Sequence, residues 1–214
     1  MHIVDGVLSP EVLAVGAVIT ACGTLWGLRT LNSEGLPKTA LFCSVFFIAS
    51  LVHIPFGVTS VHFIGNGLMG LILGPAVFPA LLIALFLQSI FFGFGGFLVL
   101  GVNTVNTAIP AIVAYFFFLP LLRRQNMLSG FVVGAMAGAL SILLSSLMVA
   151  GSLMVSNQAF YDGAKVAVFS HLPLMVVEAL LTGSAVSLLQ KVKPEIFFEK
   201  PRSYQNSSVT QAAS

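Results

Sequence analysis

The sequence predicts an all-α integral membrane protein of seven transmembrane helices, and three observations carry that reading. Of 214 residues, 57% are hydrophobic and only 7% are charged, against roughly 25% charged in a soluble domain; the mean hydropathy is +1.03. Long apolar runs alternate with short polar breaks. Almost all basic residues fall on one side of the membrane once seven crossings are drawn. The lipid bilayer is therefore the chain's first expected partner, and a net charge of +2 gives no reason to expect nucleic acid.

A span needs about 20 apolar residues, somewhat fewer where the bilayer is thin. The first predicted span covers 12–28 and stops at Arg29. A polar turn, Asn32-Ser33-Glu34-Gly35-Leu36-Pro37-Lys38, separates it from the second, 39–52. The segment from His53 to His62 holds Pro55, Gly57, Thr59 and Ser60 and reads as a loop carrying two histidines. The apolar stretch 63–92 would reach ~45 Å as one helix, too long for the hydrocarbon core. Gly74-Pro75 sits near its middle, and proline both removes a donor and forces its predecessor out of the α region. Two short spans result, 63–74 and 76–92. A Gly93-Phe94-Gly95-Gly96 segment leads to span 102–119, which ends before Arg123-Arg124. The sixth span is 128–155. A polar loop with Asn157, Asp162 and Lys165 precedes the seventh, 172–189. Residues 1–192 form a single transmembrane domain, and 193–214 a polar cytoplasmic tail expected to be disordered.

Charge supports the break at Gly74-Pro75. With seven spans and the N-terminus outside, Arg29, Lys38, Arg123, Arg124, Lys191, Lys193, Lys200 and Arg202 are cytoplasmic and only Lys165 is external. Without the break, every later basic residue except Lys165 would lie outside. The same topology places the N-terminus, the His53–His62 loop and the glycine-rich 93–101 loop on one outer face, with the C-terminus inside. No basic region precedes the first apolar run, so a cleavable leader is not expected.

Small residues recur at helical spacing: Gly130, Gly134 and Gly138 in the sixth span, and Ala17, Ala21, Gly23 and Gly27 in the first. Such stripes let helices approach closely in lipid. They can serve packing within the chain or docking of another membrane subunit. Cys22 and Cys43 lie in apolar runs and read as small buried hydrophobes, not a disulfide.

The chemistry begins at Met1-His2-Ile3-Val4-Asp5-Gly6. A chain opening Met-His offers an α-amine, a backbone amide nitrogen and an imidazole within two residues. On one ion these close a five-membered ring through the amine and the His2 amide, and a six-membered ring through that amide and His2 Nδ1. An all-nitrogen set tending to a plane suits Ni(II) or Cu(II). In the topology above, His62 stands on the same face, and its neutral imidazole would complete a four-nitrogen set. The plainer alternatives are an exposed second-position histidine and a structural loop histidine. His53 lies at a span end, where an interfacial or relay role fits, and His171 lies just before Leu172-Pro173, as a polar cap or gate. Intramembrane polar residues are costly, which singles out Gln88, Asn103, Asn106 and Glu178. Asn103 and Asn106 could hydrogen-bond a ligand histidine, as could Asp5. Glu178 could pack protonated, anchor the site from beneath, or serve a proton-linked role.

Several motifs are missing. There is no Gly-x-x-x-x-Gly-Lys-Ser/Thr for ATP, no His-Glu-x-x-His for a zinc protease, and no Gly-x-Ser-x-Gly nucleophile elbow. No pair of similar halves suggests an inverted-repeat carrier. A membrane enzyme is disfavoured, and a stand-alone secondary metal permease would have Glu178 as its main buried charge.

Four ordered blocks resemble the substrate-binding membrane component of nickel and cobalt energy-coupling-factor transporters, the CbiM/NikM family. They are Met1-His2-Ile3-x-Asp5-Gly6; Thr59-Ser60-x-His62 with Gly65 and Leu71-x-Leu73-Gly74-Pro75; Gln88, Phe92-Gly93-x-Gly95-Gly96 and Gly101-x-Asn103-x-x-Asn106; and His171-Leu172-Pro173 with Glu178-Ala179-Leu180-x-Thr182-Gly183. The chain departs from the usual pattern at Phe94 and Thr107-Ala108. The resemblance implies that the N-terminus folds back and that Met1, His2 and His62 bind the metal. Asp5, Ser60, Asn103, Asn106, His53, His171 and Glu178 are the candidate supporting or gating residues. It implies no cofactor, only a substrate ion, Ni2+ more than Co2+, and no catalytic residues. The implied partners are a transmembrane coupling component, a pair of cytoplasmic ATPases and a small two-span accessory membrane protein, in a prokaryotic cytoplasmic membrane.

Overall fold

A computed structural model describes residues 3–51, 53–56, 59–123 and 129–198, with side chains described everywhere there except 53–61 and 198. Its elements are α1 (Pro10–Thr30), α2 (Leu36–Ala49), a hairpin of β1 (His53–Phe56) and β2 (Thr59–His62), α3 (Asn66–Leu73), α4 (Val77–Phe92), α5 (Leu100–Arg123), α6 (Gly130–Ser156), α7 (Tyr161–Val192) and a short α8 (Glu195–Phe198). Every predicted span coincides with a helix. Five segments are long and apolar enough to cross a membrane: Pro10–Thr30, Asn66–Phe92, Leu100–Arg123, Gly130–Ser156 and Gln158–Val192; α2 is a shorter apolar helix.

Local chemistry sets the ends of these helices. Ser9 is extended (ψ 152°), and Pro10 opens α1 at a position where its missing N–H costs nothing. The break expected at Gly74-Pro75 is present: Gly74 takes φ 54°, ψ −133°, a conformation reserved for glycine, and one 3₁₀ turn, Gly74–Ala76, joins α3 to α4. The Tyr115 ring packs against Gly74.

Several expectations need correction. The span expected from residue 63 becomes helical only at Asn66, because Gly65 is left-handed (φ 61°) and reverses the chain before α3. The second span was expected to reach residue 52; α2 ends at Ala49, where the Ser50 hydroxyl donates to the Phe46 carbonyl 2.7 Å away. The His53–His62 loop is an antiparallel hairpin with His53 opposite His62 and Pro55 opposite Ser60. The polar loop before the seventh span is mostly helix. Asn157 accepts from the Ala159 N–H and starts a 3₁₀ turn, and α7 follows from Tyr161. Ala164, Ala167 and His171 then form its buried stripe. The tail, expected to be disordered from residue 193, instead begins with α8, which tucks Phe197 fully out of solvent and whose Phe197 carbonyl accepts from Arg123 Nε at 2.9 Å.

Lipid removes most of the hydrophobic drive between helices, so close backbone approach has to hold the bundle. The α6–α7 seam shows how. A Cβ on Gly134 would lie 2.8 Å from Val186 Cβ, one on Gly138 2.8 Å from the Glu178 carbonyl oxygen, and one on Gly183 2.7 Å from the Phe131 carbonyl. The small-residue stripe of the sixth span is therefore packing within this chain. On α1, Gly16 lies against Val102, Gly23 against Phe78, and Gly27 against Pro75 and Pro79. The opposite face of α1, with Val15, Val18 and Leu25, is exposed, as a lipid-facing surface would be. Cys22 and Cys43 are free thiols; Cys22 is exposed on α1, not buried as expected.

Candidate metal site

The N-terminal arm enters the bundle. Ile3 is fully buried and Leu8 nearly so. Asn103 on α5 grips the arm at two points: the Ile3 N–H donates to Oδ1 at 3.0 Å, and Nδ2 donates to the Ile3 carbonyl at 3.0 Å. One side-chain amide thus satisfies both backbone groups of a residue that has no water to turn to. Further along, the Asp5 N–H donates to the Gly95 carbonyl at 3.2 Å. The Asp5 carboxylate accepts from the Val99 N–H at 3.1 Å, at the N-terminal end of α5 where the helix dipole favours an anion. Gly96 (φ 145°) must lack a side chain, because a Cβ would collide with that carboxylate. Met1 and His2 themselves lie outside the described residues.

His62 closes β2 and is 3% exposed. Its Nδ1 lies 2.8 Å from the Phe63 carbonyl oxygen. A carbonyl only accepts, so Nδ1 carries the proton and the ring lone pair is on Nε2. The ring meets Phe46 edge-on, with centroids 6.3 Å apart. Burial pushes the imidazole down from 6.5 to about 4, so it is neutral at physiological pH. A neutral imidazole with its other nitrogen tied to a carbonyl is the form that ligates metals.

Buried polar bonds link the arm to the His62 turn. The Thr107 hydroxyl donates to the Asn103 backbone carbonyl at 2.7 Å, one turn along α5. The Thr107 carbonyl accepts from Asn66 Nδ2 at 3.1 Å, and the same Nδ2 lies 3.0 Å from Ser145 Oγ on α6. Asn66 opens α3 just beyond the turn, and Glu178 on α7 accepts from the Ile64 and Gly65 N–H groups. Ile3, Asn103, Thr107, Asn66 and the 62–65 turn thus form one connected unit.

The other candidates are placed less centrally. His171 is mid-helix and 1% exposed; Nδ1 donates to the Ala167 carbonyl, while Nε2 has no hydrogen-bond partner. Asn106 turns towards α6, where its Oδ1 lies 3.5 Å from Ser152 Oγ. Gln88 bonds Ser50 and ties α4 to α2. For His53 and Ser60 only the backbone is described. Among the described residues no cluster of three or more His, Cys, Asp or Glu could hold a metal. Asn66 and Ser145 escaped the sequence reading, and Thr107 entered it only as a departure from the family pattern. Asn66 directly follows Gly65, and its amide at the start of an apolar run was the missed signal.

An apolar exterior around an inward-facing histidine turn and a buried polar network defines a polytopic membrane protein. A family model described as the cobalt uptake substrate-specific transmembrane region, CbiM, matches residues 2–196, and the chain belongs to that family. It is 42% identical over 198 residues to a putative metal transport protein of Haemophilus influenzae, covering 92% of this chain and 96% of that one. It is also 30% identical over 227 residues to the fused nickel transport protein NikMN of Rhodobacter capsulatus, covering 92% of this chain and 63% of that longer one. A crystal structure of a truncated transition metal transporter superposes with a TM-score of 0.80 at 28% identity, covering 89% of this chain and 99% of that one.

Proposed function

We propose that this chain is the substrate-specificity subunit of an ATP-driven energy-coupling-factor transporter importing Ni(II), with Co(II) as the less favoured cargo. The metal's donors are the Met1 amine, the His2 amide nitrogen, the His2 imidazole and the His62 imidazole. The observation that carries this reading is the two-point grip of Asn103 on Ile3, joined through Thr107 and Asn66 to the His62 turn. Two residues ahead of an anchored Ile3 have only ~7 Å of reach. The planar all-nitrogen set favours nickel; the relatives include both nickel and cobalt transport proteins. The Asn103 amide and the Asp5 carboxylate hold the arm in register; His171, buried on α7, serves as a gate.

The N-terminus faces outside and the C-terminus the cytoplasm, in a prokaryotic cytoplasmic membrane. Power comes from a transmembrane coupling protein and paired ATPases, with a small accessory membrane subunit. A square-planar nitrogen site holds its ion tightly, so inward release requires the arm or the His62 turn to be pulled away. The test is nickel uptake into liposomes. Uptake is expected only when the coupling protein, the ATPases and ATP are present; uptake by this chain alone would instead establish a secondary permease.

A further inference from the structure

A ligand imidazole must be held still, and the group that holds His62 comes from a different helix. We infer that Glu178 is a positioning residue for metal binding, aiming the His62 ring through the peptide between Phe63 and Ile64. This inference rests on the reading of His62 as a ligand.

The geometry is a three-link chain. Glu178 is fully buried on α7, and its Oε1 lies 2.6 Å from the Ile64 nitrogen and 2.8 Å from the Gly65 nitrogen. The Ile64 N–H and the Phe63 C=O belong to one planar peptide unit. The Phe63 C=O in turn accepts from His62 Nδ1 at 2.8 Å. The orientation of that single peptide therefore fixes both which imidazole nitrogen is protonated and which way the ring faces. A flip of the peptide would break the Glu178 bond and the His62 bond together.

The turn cannot hold itself. Gly65 is left-handed, and no side chain within the segment caps α3. Left unpaired inside the bundle, the Ile64 and Gly65 N–H groups would each cost about 1–3 kcal/mol. Oε2 makes no hydrogen bond, so the anchoring is done by one oxygen, whose distance from the backbone of α7 a glutamine would keep and an aspartate would not. Reach, not charge, is then the property that matters.

Two conservative variants separate the two. Glu178→Gln keeps an acceptor oxygen at the same reach and loses the charge. Glu178→Asp keeps the charge and is one methylene short. Each is purified with its native N-terminus, Ni(II) affinity is measured by chelator competition, and the visible absorption band of the bound ion is recorded. Glu178→Gln should stay within about threefold of the unchanged protein, and Glu178→Asp should lose about 10–100-fold, with a shifted band. In the metal-free proteins, hydrogen exchange at the Ile64 and Gly65 amides should quicken in Glu178→Asp and not in Glu178→Gln. A weakened Gln variant beside a normal Asp variant, no change in either, or equal loss in both would each overturn the inference. If the unchanged protein bound no nickel, or bound it as well after His62→Ala, the reading of the site would fail instead. The exchange pattern would still decide whether Glu178 holds the turn.

Discussion

The α6–α7 seam and the arm–turn unit both bring distant parts of the chain together, by opposite means. At the seam, Gly134, Gly138 and Gly183 remove side chains so that two long helices can touch. At the arm, Asn103, Thr107, Asn66 and Glu178 supply specific polar atoms to backbone groups that would otherwise be unpaired. The first kind of contact tolerates no added bulk and is indifferent to chemistry. The second depends on chemistry and does not tolerate a lost donor or acceptor. Damage to the seam should therefore appear as lost stability, and damage to the arm or turn as lost binding.

The largest expected effect lies at the turn itself. His62→Ala should abolish Ni(II) binding in a metal analysis of the purified protein, with some loss of thermal stability because a buried ring is removed. Next comes Asn103→Leu. It strands the Ile3 N–H and C=O, each costing about 1–3 kcal/mol. Nickel affinity should fall about 10–100-fold, with a lower unfolding temperature as well. Gly134→Val should behave in the reverse sense. Extra bulk against Val186 and the Thr182 carbonyl should cost about 1–3 kcal/mol of stability, read in thermal unfolding, with nickel affinity unchanged.

The smallest effect is a pH dependence in the metal-free protein. His62 titrates near 6.5 when unfolded and at about 4 when folded, because burial disfavours its charge. Below 6.5 the unfolded state takes up the extra proton, so stability is full above that pH and falls progressively as pH drops towards 4. Replacing His62 with Gln should flatten that part of the stability–pH curve. Should Gly134→Val abolish binding at unchanged stability, or Asn103→Leu leave binding intact, the contrast between the two regions would fail.

Legibility in the sequence followed the same divide. Apolar runs and punctuating residues revealed α1 to α7, and the Gly74-Pro75 break was visible because both residues act locally on the backbone. Small-residue stripes were visible too, though not which helix they faced. The hairpin was missed because Pro55 and Gly57 argue locally for a loop, and its short strands pair only within a tertiary setting. The start of α7 was missed because its first turns are polar on the exposed side. The Asp162–Lys165 pair at 3.4 Å sits there, over a buried Ala164, Ala167 and His171 stripe that hydropathy averages away. At the site, Asn103 and Glu178 stood out as polar residues inside apolar spans, His62 as a loop histidine on the face of the N-terminus, and Asp5 as part of the opening Met1–Gly6 block. Their partners did not, because Asn103 meets Ile3 across 100 positions and Glu178 meets Ile64 across 114. Local pattern carries no record of such pairings.

The central claim is that the first atom of the chain is a metal ligand. Its most direct test is the nickel content of the purified protein compared with a variant carrying one alanine ahead of Met1. The extension leaves Ile3, Asn103 and His62 intact but converts the terminal amine into an amide and displaces it from the chelate. The account predicts one nickel per chain in the first protein and essentially none in the second. Equal nickel in both would contradict it.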